Sequence, residues 1–176
     1  FLLCTVGINK ASKGRVFIDD FYFVRRQPVS NAEGGDYKCD FSHPDIFSSW
    51  KSSTAVGAFS WNKNEGHNAG GSLEITIHEG SAADSVFCYL KRFPVVPGKT
   101  YTVSVWIKAE NVSPSSEIIL GFQGQGIDKK FLDTPYIFNT ITGADIGNDW
   151  KERILTLVIP ENGKWSKVVY LLCTIG

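Results

Sequence analysis

Along most of the chain apolar and polar residues alternate with period two, in runs of Val, Ile, Phe, Tyr and Thr bounded by Gly, Pro, Asn or Ser. That period belongs to strands, whose successive side chains point to opposite faces of a sheet. No stretch keeps the 3.6-residue period of a helix for more than two turns. The pattern predicts strands over 1–6, 15–24, 55–61, 72–78, 85–91, 100–109, 117–124, 151–159 and 166–175, separated by turn sequences such as GHNAGG, VPGK, SPSS and PENGK. So many short strands at this spacing predict an all-β chain folded as a sandwich or jelly roll.

Two strands declare their faces. In YTVSVWIKA, Tyr101, Val103, Val105 and Ile107 share a core face, which leaves Thr102, Ser104, Trp106 and Lys108 on the other. In SVFCYLK, Val86, Cys88 and Leu90 form the core face and Phe87, Tyr89 and Lys91 the opposite one. Aromatic residues therefore stand on outward strand faces at least twice. Residues 124–150 hold few strand signals around Tyr136 and Phe138 and predict a long connection of the kind that is usually functional or mobile.

The chain also repeats itself. Residues 1–7 read FLLCTVG and residues 170–176 read YLLCTIG, five identities in seven at a spacing of 169 residues. Two similar core strands could share a word by accident, but a match that includes Cys and Gly favours duplication, and with it tandem modules of ordinary domain size in the parent polypeptide. The stretch RRQPVS at 25–30 is the best candidate for a module boundary.

Composition narrows the function. The 176 residues carry 18 Lys+Arg against 18 Asp+Glu, and 43% are hydrophobic. One soluble domain with a well-buried core accounts for these numbers. A net charge of zero and no basic stripe argue against nucleic acid as a partner. The longest apolar runs fall far short of the ~20 residues that a membrane-spanning helix needs. The opening FLLCTVGINK lacks the basic leader and cleavage site of a signal peptide, so the chain reads as a portion of something longer.

Chemistry-bearing residues are sparse. The four cysteines, at 4, 39, 88 and 173, form no CxxC pair and no zinc-ligand set with the histidines, which argues against zinc and redox motifs and favours structural thiols over disulfides. His43, His67 and His78 accompany no nucleophile motif and read as surface or loop residues. Hydrolysis of a glycoside would need a carboxylate pair, and most acids here sit in turns. Asp19 and Asp20 stand side by side in VFIDDFYFV, where strand alternation points them to opposite faces; Glu33 and Asp36 lie in NAEGGD, and Glu65 precedes GHNAGG. Carboxylates and carbonyls at loop–strand junctions suit calcium, and solvated turns explain them equally well. The last set is aromatic. Phe87, Tyr89 and Trp106 on outward faces, with Gln123 and Gln125 in GFQGQG and Tyr136 in the long connection, combine flat rings with planar amides, as a sugar-binding surface requires.

Taken in order, NAEGGD, Trp50, GGSLEI, VPGKTYTVSVWIKAEN, DWKERILTLVIP and VYLLCTIG resemble the carbohydrate-binding modules of the CBM4/CBM9/CBM22 group, and GRVFIDDFYFV resembles their last strand. The variant NAEGGDYKCDF is most similar to the tandem xylan-binding modules of family 10 xylanases from gut Bacteroidetes. The resemblance implies a β-jelly-roll sandwich of two antiparallel sheets, no catalysis, and a cleft across one concave sheet for xylan or a related β-glycan. It also implies secretion, a covalently attached glycoside hydrolase and a structural Ca2+. By position the calcium ligands would be Asp20 and Glu33, with Glu65 or carbonyls near Gly71 less well matched; the cleft would hold Tyr89 or Phe87, then Gln123, Gln125 and Tyr170. The chain departs from the pattern in lacking an acidic residue near Thr174 and in its long segment after Gly126.

Strand order departs as well. In the family the FIDDF strand closes the module, whereas here it stands at 17–21. Residues 1–25 then read as the closing strands of a preceding copy and residues 26–176 as a module lacking its own last strand. Residues 8–25 are expected to supply that strand, either within their own module, as in a circular permutation, or to a neighbouring chain in a strand-exchanged oligomer. FLLCTVG and YLLCTIG would compete for one place, and an unpaired copy would be an aggregation-prone edge. The alternative function is a structural or protein-interaction sandwich without a sugar site, whose outward aromatics are covered.

Overall fold

The computed structural model describes residues 8–9, 14–25, 37–43, 57–68, 70–77, 88–134 and 137–175. In chain order the strands are β1 (Ile8–Asn9), β2 (Gly14–Arg25), β3 (Tyr37–Cys39), β4 (Gly57–Asn62), β5 (Ser72–Ile77), β6 (Cys88–Pro94), β7 (Thr100–Glu110), β8 (Glu117–Gln125), β9 (Ile137–Thr142), β10 (Lys151–Val158) and β11 (Tyr170–Ile175). One helical turn, α1 (Gly143–Ile146), follows β9, and a 3-10 turn, Gly163–Lys167, precedes β11. Every pairing is antiparallel. Five strands form one sheet in the order β1-β8-β11-β6 with β9 also on β8; six form the other in the order β10-β7-β2-β5-β4 with β3 also on β2. The chain passes repeatedly from one sheet to the other, and the result is the jelly-roll sandwich expected.

The core is built from the alternation. β7 is buried at every second residue from Tyr101 to Ala109, and Ile18, Ile75, Val105 and Ile107 of the larger sheet face Ile118, Leu120 and Phe122 of β8 across the sandwich. β2, the strand that carries FIDDF, lies at the centre of the larger sheet, with β5 on one edge over residues 14–18 and β7 on the other. An aromatic stack ties the sheets together. The ring of Phe93 on β6 lies parallel to that of Phe23 on β2, with centroids 4.2 Å apart, and meets Tyr37 edge-on at 5.2 Å.

Several features differ from the sequence expectation: β1 and β3 lie outside the predicted strands, and the 3-10 turn Gly163–Lys167 takes the start of the strand expected over 166–175. β9 lies inside the segment read as a long connection; IFNTIT places only Ile141 in the core among its described side chains, too weak an apolar signal to announce a strand. β2 carries a bulge between Asp19 and Tyr22, where three steps along β2 match two along β7, and Asp20 takes the left-handed conformation at φ 45°. The bulge coincides with the place where β2 leaves β5 and begins to pair with β3.

Removing residues 1–25 takes out the central strand, so the truncated chain should lose cooperative thermal melting, and an unchanged Tm would refute the placement of β2. Phe93→Ala should destabilise the intact protein by about 3–5 kcal/mol, the range for a buried aromatic truncated to Ala. Chemical denaturation followed by Trp fluorescence measures it, and a loss under about 1 kcal/mol would show that the stack does not hold the sheets.

Candidate carbohydrate-binding face

The outer face of the six-stranded sheet is covered by its own residues. Phe17 projects outward yet is fully buried, with the Arg15 guanidinium and the Lys108 ammonium each 5.3 Å from its ring centre. Those cations are matched in turn: Arg15 lies 2.5 Å from Glu110, and Lys108 lies 2.9 Å from both Glu65 and Glu110. Burial and two carboxylates compete at Lys108, and the carboxylates prevail, holding its pKa above the ordinary value.

The segment that follows β4 reaches across the middle of this face. The bulge in β2 defeats strand alternation, so Asp19 and Asp20, expected on opposite faces, address the same loop. His67 donates its backbone N–H to Asp19 Oδ2 at 2.7 Å, its Nδ1 lies 3.0 Å from Asp20 Oδ2, and Asn68 Nδ2 donates to that same oxygen. The His67 ring lies on Trp106 at 3.6 Å between centroids and meets Trp150 edge-on at 6.1 Å. Close approach explains Gly71: with φ at 134°, a Cβ there would come within 2.6 Å of Trp61 Nε1, which donates to the Phe41 carbonyl.

Asp19 is almost fully buried, and that burial raises its pKa to about 6 against the N–H bonds from His67 and Asp20, which pull it down. Of the residues expected to hold calcium, Asp20 faces the His67 ring nitrogen and the Asn68 amide, and Glu65 faces Lys108. Among the described residues no three His, Cys, Asp or Glu side chains group for a metal, and Glu33 lies outside them.

The outer face of the five-stranded sheet is built differently. Register sets Pro94, Tyr170 and Gln125 in one row across β6, β11 and β8, and Arg92, Leu172 and Gln123 in the next. Antiparallel strands lie ~5 Å apart and same-face residues ~7 Å apart along a strand, so these rows form one continuous surface. Arg92 is exposed, Gln123 and Tyr170 are half-buried, and Gln125 is 2% exposed. The Gln125 Oε1 has no hydrogen-bond partner among the described residues. Beside it the exposed Phe131 pairs with Gln125 as an isolated bridge. Tyr89 takes the register position opposite Thr174, which faces Gly121 on β8.

The expected sugar-binding set is thus divided. Gln123, Gln125 and Tyr170 share the five-stranded sheet, and Tyr89 belongs to the same sheet by register. Trp106 is on the other sheet, with one ring face taken by His67, so it cannot join them. Phe87 and Tyr136 lie outside the described residues. Arg92 was missed by the sequence reading. Its strand was drawn to end at Lys91, whereas β6 runs on to Pro94.

The family model CBM_4_9, described as a carbohydrate binding domain, matches residues 37–173. The chain belongs to this family. Neither the curated proteins nor the solved structures gave a match. As a carbohydrate-binding domain it belongs to a non-catalytic class. Cys39, buried and free of any disulfide, is a structural thiol whose pKa burial raises.

The buried Asp19 generates a pH prediction. It titrates near 3.8 in the unfolded chain and at about 6 in the folded protein, so the folded state holds the proton more tightly. Its contribution to stability is fully present below pH 3.8 and is lost as pH rises through 6, a change of ~3 kcal/mol at 1.36 kcal/mol per unit. Asp19→Asn should abolish that part of the pH dependence, and melting curves for both proteins between pH 4 and 7 measure it. Identical slopes would show that Asp19 titrates normally.

Proposed function

We propose that this domain binds xylan or a related β-glycan along the outer face of the five-stranded sheet, and that it holds an attached glycoside hydrolase on that substrate. The observation that carries the reading is the pair of adjacent rows that brings Arg92, Gln123, Gln125 and Tyr170 onto one face. A sugar presents apolar C–H surfaces and hydroxyls that both donate and accept. Tyr170 offers a ring for the former, and the guanidinium and the Gln123 amide offer planar donors and acceptors for the latter. Gln125 Oε1 has no hydrogen-bond partner among the described residues but is buried, so it lies beneath this face, and Arg92, Gln123 and Tyr170 are the groups that reach its surface. The choice of xylan rests on the likeness of NAEGGDYKCDF to xylan-binding modules. A secreted, extracellular setting follows from a polymeric substrate of this kind.

One observation favours the alternative of a protein-interaction sandwich: the outward aromatic Trp106 is covered by His67. That covering is confined to the six-stranded sheet and leaves the rows on the other sheet as they are.

Titration calorimetry with xylohexaose and cellohexaose tests the proposal, with expected Kd values from millimolar to micromolar, roughly −4 to −8 kcal/mol. Gln123→Ala, Tyr89→Ala and Tyr170→Ala should each weaken binding at least tenfold, whereas Trp106→Ala should leave affinity unchanged and lower Tm. No heat with either oligosaccharide, together with no retention on insoluble xylan, would overturn the sugar-binding reading; loss of affinity in Trp106→Ala alone would move the site to the other sheet.

A further inference from the structure

We propose that residues 8–25 occupy the place of the chain that follows β11, so that β1 and β2 are the closing segment of one module attached in sequence to the start of the next.

Register supplies the first reason. β9 holds one edge of β8 over residues 117–122, so β1, which pairs with Ile118 and Glu117, shares the opposite edge with β11. β11 occupies that edge as far as Ile175 opposite Leu120, and β1 resumes it with Ile8 opposite Ile118. Both strands run antiparallel to β8, hence in the same direction, and the place between them, opposite Ile119, takes one residue. β1 is therefore the in-line continuation of β11.

The repeat supplies the second reason, independently. Its offset makes Gly176 the equivalent of Gly7, and Gly7 is the single residue that stands between Val6, the equivalent of Ile175, and Ile8. Sequence and sheet thus give the same one-residue spacing. The agreement is demanding, because a slip of one residue would turn every side chain of the segment to the other face. The family match adds a third observation. It runs from Tyr37 to Cys173 and does not include β2, although β2 is the strand that joins β7 to β5.

FLLCTVG, which precedes β1 in sequence, repeats the sequence of β11, and β11 already fills the place between β6 and β8. In a tandem array this conflict disappears, since each module receives residues equivalent to 8–25 directly from its own β11. The partner that fits a module lacking its closing segment is accordingly residues 8–25 of another copy.

A permuted chain tests this: residues 26–176 joined directly to residues 8–25, with 1–7 omitted. It should melt cooperatively at or above the Tm of the parent. Failure to melt cooperatively, or a Tm lower by more than about 10 °C, a loss of several kcal/mol at this size, would overturn the proposal. A second permuted chain with one added Gly at the junction should melt several degrees below the first, because it breaks the in-line register. Equal Tm values for the two permuted chains would show that β1 does not continue β11.

Discussion

β2 is paired along both edges, to β7 and to β5, so the two halves of the six-stranded sheet meet through its backbone. Its inward residues Val16, Ile18, Phe21 and Phe23 are buried in the core, and even the outward Phe17 and Asp19 are covered. A strand in this position cannot be peripheral to stability. Removing it would expose ladder groups on two neighbouring strands and uncover apolar surface on both sides of the sheet. The Phe23–Phe93 stack then extends its influence to the second sheet, because the ring that lies on β2 is carried by β6.

The bulge in β2 determines how the two outer faces differ. An extra residue at Asp20 swings its carboxylate to the side already held by Asp19, and together they draw His67 and Asn68 down over Trp106. Ion pairs around Arg15 and Lys108 complete that cover. Most of the charged groups there are paired, although Ser72 Oγ on β5 has no partner among the described residues. On the five-stranded sheet the rows hold an exposed Arg92, a half-buried Gln123 and Tyr170, and an amide oxygen of Gln125 with no partner among the described residues. That face therefore sets planar polar groups beside an aromatic ring, the combination on which the proposed sugar contact rests.

Much of this was readable from residue order because the side-chain period of a strand is two and the solvent enforces it. The core face of β7 follows from YTVSVWIKA alone, and the outward positions of Gln123 and Trp106 follow in the same way. What alternation cannot say is which sheet an outward face belongs to. Trp106 and Gln123 both point away from the core, yet they point away on opposite sides of the sandwich. A bulge is equally silent in sequence when its left-handed residue is Asp rather than Gly. Two adjacent aspartates were therefore expected on opposite faces and are found on the same loop. Arg92 was hidden for a simpler reason, that β6 runs three residues past its expected end, into RFP.

The sequence by itself determined the class of fold, the inward residues of the long strands, the family likeness, and the duplicated word with its offset, because each depends on local periodicity or on identity of residues. Tertiary structure alone decided that β1 lies in line with β11, that β2 sits at the centre of a sheet, and that the expected sugar-binding residues separate onto two faces. Those outcomes depend on pairing between segments as much as a hundred residues apart, whose register is set by packing both sides of a sandwich at once and leaves no mark on the order of neighbours along the chain.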